Sequence, residues 1–129
     1  MRKITDAIVA LLAISPALGA VLATSPAGAA GDAAAGKQVF SRCAACHSTT
    51  PGDNKIGPSL AGVFGRKSGS EPNYNYSPAL KAANITWDDH TLDQFLTNPA
   101  ADVHGTKMFI NLPNAGDREN VITYLETLK

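Results

Sequence analysis

The sequence predicts an all-α domain, and three observations carry that prediction. No stretch alternates apolar and polar residues with period two, so no strand is called for. Apolar residues recur at helical spacing instead, most plainly at Val121, Ile122, Leu125 and Leu128. Capping residues stand in front of candidate helices: Asp32, Ser77, and Thr86 or Asp88.

The elements follow in order. Asp32 to Ala45 reads as a first helix, Ala-rich, with Val39 and Phe40 on its apolar face. Gly36 is costly inside a helix, which predicts close contact with another backbone there. Ser48 to Asn73 holds Gly52, Gly57, Gly62, Gly65 and Gly69 with Pro51, Pro58 and Pro72, which leaves no room for a long regular element. A loop of that length in a small domain has to wrap something. Ser77-Pro78 opens a short helix to about Ala83, with proline at the first helical position. The next helix runs to about Thr97 with Leu92, Phe95 and Leu96 on one face, and Asn98-Pro99 ends it. The last helix starts at or near Asp117.

Residues 1–30 read as a secretory signal peptide. Arg2 and Lys3 precede a mostly apolar run from Ala7 to Leu22, and small-x-small sites end at Ala29 and at Ala30. Asp6, Pro16 and Gly19 interrupt the run, and a membrane span wants about 20 apolar residues together. An uncleaved anchor is the alternative. Export leaves one domain, residues 31–129, in an oxidising compartment.

Charge excludes some partners. The whole chain has 11 basic and 11 acidic residues. Without Arg2, Lys3 and Asp6, 9 basic and 10 acidic residues remain, a net of −1. With no basic run, nucleic acid is not an expected partner.

Cys43-Ala44-Ala45-Cys46-His47 is the most informative stretch. Two thiols three apart followed by histidine form the attachment signature of a c-type haem. Two thioether bonds to the porphyrin vinyl groups need two cysteines on one short turn. The adjacent imidazole is then placed to bind iron. Three other readings of the thiols stay open at this point: a thioredoxin-like redox pair, half of a zinc site, or a plain disulfide. No second cysteine pair exists to complete a closed zinc site, and of the three histidines only His47 has a fixed relation to the thiols. For a second iron ligand the candidates are Met108, His90, His104 and Lys107. Met108 sits in the Gly105-Thr106-Lys107-Met108 loop between two helices, where it could equally be core filler.

Landmarks beyond the haem signature appear along residues 31–129: Gly36-Lys37-Gln38-Val39-Phe40, Gly57-Pro58-Ser59-Leu60, Phe64-Gly65-Arg66-Lys67-Ser68-Gly69, Tyr74-Asn75-Tyr76, Ile85-Thr86-Trp87, Asn98-Pro99, Gly105-Thr106-Lys107-Met108, and Arg118 with Val121 to Leu125. In this order and spacing the chain resembles class I cytochromes c, the mitochondrial type and bacterial cytochrome c2 in particular. The resemblance implies a small cytochrome c fold, three to five helices wrapped around one haem bound through Cys43 and Cys46. It implies His47 and Met108 as axial ligands, with the Pro58 carbonyl accepting from the other His47 ring nitrogen. It implies that Tyr76 and Trp87 reach a buried propionate, that Arg66 offsets its charge, and that Thr106 hydrogen-bonds on the Met108 side. Gly36 and Phe40 would pack on Val121, Tyr124 and Leu125.

The implied function is a soluble periplasmic one-electron carrier with no substrate of its own. It would cycle Fe(III)/Fe(II) between a bc1-type donor and an oxidase or photosynthetic reaction centre, as a monomer. A haem-based peroxidase or gas-binding sensor is the alternative if Met108 binds iron weakly. The chain departs from the family pattern at four places. Phe95 stands where many relatives have tyrosine, Leu80 where asparagine often orders a water, and Ala100 and Ala101 where lysines are usual. His104 stands where proline is common, and it or Lys107 is a candidate to replace Met108 on iron when the loop opens. Arg42, Lys55, Lys67 and Lys107 remain to form a small basic ring.

Overall fold

A computed structural model describes residues 30–129, so the expected signal peptide, residues 1–29 of it, lies outside the described residues. The described residues form five α-helices: α1 (Ala33–Val39), α2 (Pro78–Ala82), α3 (Asp89–Thr97), α4 (Pro99–Asp102) and α5 (Ala115–Glu126). Among the described residues there is no strand, only an isolated antiparallel bridge between Lys67 and Thr86.

Asp32 caps α1 as expected, accepting from the N–H groups of Ala34 and Ala35. The helix ends sooner than Ala45. Phe40–Arg42 tightens into a 3-10 turn, and Cys43 to Cys46 continue as turns. Cys43 N–H and Ala44 N–H both reach the Phe40 carbonyl, and Cys46 N–H and His47 N–H both reach the Cys43 carbonyl. These mixed short-range bonds abandon the helical repeat, which frees the two thiols and the imidazole to face one side.

Gly36 meets the contact its position predicted. α1 crosses α5, and a Cβ on Gly36 would collide with the Asn120 carbonyl and lie 2.8 Å from the Tyr124 Cβ. Phe40 and Tyr124 close the junction with ring centroids 5.5 Å apart. Asp32 N–H ties the start of α1 to the Asn120 side chain at 2.8 Å.

Ser77 caps α2, and α3 starts from a reciprocal capping box between Asp88 and Thr91, which selects Asp88 over Thr86. Asn98-Pro99 does end α3, but it also starts the one-turn helix α4. Asn98 caps Ala101 N–H and Pro99 takes the first position. α5 begins two residues earlier than Asp117, with Asn114 as cap.

The loop from Ser48 to Asn73 is pinned in two places. Leu60 N–H binds the Ser48 carbonyl at 2.9 Å. Gly65 N–H binds the Trp87 carbonyl, Trp87 N–H the Arg66 carbonyl, and Ser68 N–H the Ile85 carbonyl. Its buried Val63 joins Phe40, Leu92, Leu96, Val121 and Leu125 in the core. The loop therefore wraps an interior lined from all sides, without a regular element of its own.

Candidate functional site

That interior is a cavity of about 450 Å³, with predominantly apolar walls. Cys43, Cys46, His47, Pro58, Arg66, Tyr76, Trp87, Thr106 and Met108 all line it. The nine come from the turn after α1, the long loop, the segments just before α2 and α3, and the loop after α4, so only the tertiary fold brings them together.

His47 is positioned on two sides. Its Nδ1 lies 2.7 Å from the Pro58 carbonyl oxygen. A carbonyl can only accept, so Nδ1 carries the proton and Nε2 keeps its lone pair. Burial lowers the imidazole pKa, and the Pro58 bond offsets part of that, so the ring stays neutral as a metal ligand must. Gly57 supplies the cradle. Its N–H binds the Cys46 carbonyl at 2.8 Å, and a Cβ there would lie 2.7 Å from His47 Nδ1 and 2.8 Å from Nε2.

The thiols are not joined to each other. Burial raises the Cys43 pKa, opposed by the Arg42 charge. Among the described residues no three His, Cys, Asp or Glu side chains form a group that could hold a metal ion.

On the Met108 side, Thr106 is buried and its hydroxyl accepts from Met108 N–H at 3.3 Å. Gly105 takes φ +92°, a turn that a side chain would strain. Lys107 lines the cavity and its Nζ donates to the Asn75 carbonyl at 3.0 Å, bridging two loops at the mouth. His104 and His90 are exposed and line no part of the cavity.

Arg66 is held by the carbonyls of Ala61 and Ser59 and pairs with Glu71 at 2.5 Å. Its buried Nε has no partner. An orphaned cationic donor in an apolar cavity fits an anionic group brought in by a ligand. Tyr76 is buried, which raises its pKa, so its hydroxyl stays protonated. That hydroxyl accepts from Glu71 N–H at 3.2 Å, leaving its own proton to donate.

A flat apolar cofactor with carboxylates at one edge fits this chemistry. The walls carry the groups that could hold a haem: the thiols of Cys43 and Cys46, the His47 imidazole, the Met108 thioether and the Arg66 guanidinium.

The cytochrome c family model matches residues 33–129. The chain belongs to the cytochrome c family. It is 47% identical over 113 residues to cytochrome c2 of Rhodomicrobium vannielii, covering 85% of this chain and 90% of that one. Its fold is similar to the structure of cytochrome c2 from Rhodospirillum centenum, with TM-score 0.74 and 32% identity, covering 77% of this chain and 99% of that one. Cytochrome cH from Methylobacterium extorquens gives TM-score 0.71 at 42% identity, covering 75% and 99%. This cytochrome is an electron carrier with haem c bound covalently through Cys43 and Cys46.

The departures from the family pattern now have places. Phe95 is buried against the cavity with its ring 5.1 Å from that of Trp87, and Leu80 lines the same space. Ala100 and Ala101 are exposed on α4. Of the expected basic ring, Arg42 and Lys107 line the cavity, and Lys55 and Lys67 do not. Arg42 is also paired with Asp117 at 3.0 Å. Ile56, Phe109 and Ile110 were not expected at the site. They line the cavity while 77%, 79% and 58% exposed, so the mouth of the haem pocket is rimmed by apolar residues. The apolar run Met108-Phe109-Ile110, with no helical period behind it, was the available signal.

Proposed function

We propose that this cytochrome c is an exported, periplasmic one-electron shuttle with His47 and Met108 as its axial iron ligands. The observation that carries the reading is the convergence of both residues on one apolar cavity, with His47 Nδ1 engaged by Pro58 and Nε2 left free. The haem supplies the redox chemistry, one electron gained or lost at iron. The protein's part is to hold two neutral ligands in both states. The soft Met108 thioether would favour Fe(II) and so raise the potential. Arg66, Tyr76 and Trp87 would meet a propionate, and Thr106 would hold the Met108 loop in place.

The donor would be a bc1-type membrane complex and the acceptor an oxidase or a photosynthetic reaction centre, met by transient docking of a monomer. The apolar rim of Ile56, Phe109 and Ile110 supports docking at the haem mouth. Export rests on the signal peptide, residues 1–30, cut near Ala29 or Ala30.

The visible spectrum of the exported protein tests the ligand set. A low-spin ferric spectrum with the weak far-red band of methionine on iron is expected. A high-spin haem that binds CO rapidly when reduced would favour the peroxidase or gas-sensor alternative.

A further inference from the structure

Glu71 is a nearly buried carboxylate beside the cavity, its side chain 9% exposed, that the haem-holding set does not use. It meets Arg66 Nη1 at 2.5 Å. The other contacts of that guanidinium are the carbonyls of Ala61, at 3.1 Å, and Ser59, at 2.9 Å. Carbonyls orient a cation without cancelling its charge. The Glu71 carboxylate is therefore what balances Arg66. The unpartnered Nε can still donate to an anion, but the guanidinium behind it is already neutralised.

We propose that Glu71 is a positioning residue for charge, which lowers the reduction potential of the haem by pairing with Arg66. Ferric haem carries one more positive charge than ferrous haem. A carboxylate shielded from water favours the ferric state, and it also cancels the cation that would have offset the propionate. The inference rests on the reading that Arg66 faces a haem propionate.

The test is the midpoint potential of holoprotein carrying Glu71→Gln, which keeps the size and hydrogen-bonding reach and removes the charge. The ferrous-to-ferric ratio at fixed solution potential is expected to rise about three- to tenfold, about 30–60 mV for one electron, with the far-red methionine band retained. A potential equal to or below wild type overturns the proposal. Arg66→Gln separates the two levels, because losing the cation is expected to lower the potential. If it does so while Glu71→Gln has no effect, the role of Glu71 alone fails. If neither variant moves the potential, the reading of Arg66 fails with it. Should Glu71→Gln not yield holoprotein, the wild type decides by infrared difference spectroscopy between oxidation states with ¹³C-labelled glutamate. The other glutamates, Glu119 and Glu126, are exposed on α5. A labelled carboxylate band that shifts with iron oxidation supports the proposal, and an unmoved band overturns it.

Discussion

The His47 imidazole donates from Nδ1 to the Pro58 carbonyl oxygen across 2.7 Å, while its ring lies against Gly57. The hydrogen bond sets the tautomer and the glycine sets the clearance. A methyl on Gly57 would fall 2.7 Å from Nδ1, inside any tolerable contact. Overpacking of this kind costs about 1–3 kcal/mol. Gly57→Ala is expected to lower Tm by roughly 4–8 °C for each kcal/mol and to displace the imidazole. Thermal melts and the visible spectrum of the variant check this, and an unchanged spectrum would show that the ring can give way.

Arg118 anchors the far end of the Met108 loop. It is buried in α5 and donates to the carbonyls of Leu112 and Pro113 at 2.9 and 3.0 Å. It also meets Asp93 of α3 at 2.7 Å. Arg118→Ala strands the buried Leu112 carbonyl, which costs about 1–3 kcal/mol before lost packing is counted. Asp93 is 47% exposed, so Asp93→Asn should cost less than about 1 kcal/mol. Denaturant unfolding of the two variants measures the contrast. Equal losses would mean that the ion pair, not the carbonyl clamp, is what matters.

Lys107 and His104 stand differently toward the haem pocket. Lys107 lines it and bridges to the Asn75 carbonyl, whereas His104 is exposed outside it. If Met108 ligates iron as proposed, Lys107→Ala is expected to shift the alkaline loss of that ligand, and His104→Ala to leave it in place. The far-red band followed from neutral to alkaline pH reads both. A transition moved by His104→Ala would give that histidine the role instead.

Asp88 links pH to the start of α3. Hydrogen bonds from the Thr91 N–H and hydroxyl lower its pKa. A carboxylate depressed on folding stabilises above its unfolded pKa, and that contribution is lost as pH falls through the folded value. The Tm difference between wild type and Asp88→Ala should be full at neutral pH and shrink on acidification below the ordinary carboxylate range. A difference that persists unchanged at low pH would assign the effect to helix propensity.

Docking should depend weakly on salt. The net charge without residues 1–30 is −1, Ala100 and Ala101 are exposed on α4, and Arg42 is already paired with Asp117. Steering by a basic face is correspondingly reduced. Steady-state rates with a membrane oxidase across ionic strength check this, and a steep fall with salt would contradict it.

Much of this was legible along the chain because it depends on neighbours in sequence. The thiols and imidazole of Cys43 to His47 carry the haem signature within five residues, and the landmarks along the rest of the chain decide it against the other readings of the thiols. Asp32, Ser77 and Asp88 cap where they stand because a cap is a bond over two or three residues. The expected helix to Ala45 was too long. Its Ala-rich composition favours helix, but the turns that aim both thiols and His47 to one side override it. Asn98-Pro99 reads equally well as a stop and as a start, and the structure uses it as both.

The sequence by itself determined the haem, its point of attachment and the helical class, since each follows from local chemistry and spacing. Only the tertiary structure decided which distant groups share the cavity. Gly57 becomes a cradle because the loop folds back onto His47, and Glu71 becomes the counter-charge of Arg66 because both are taken out of water together. Burial and long-range packing create those relationships, and neither exists until the loop has closed over the core.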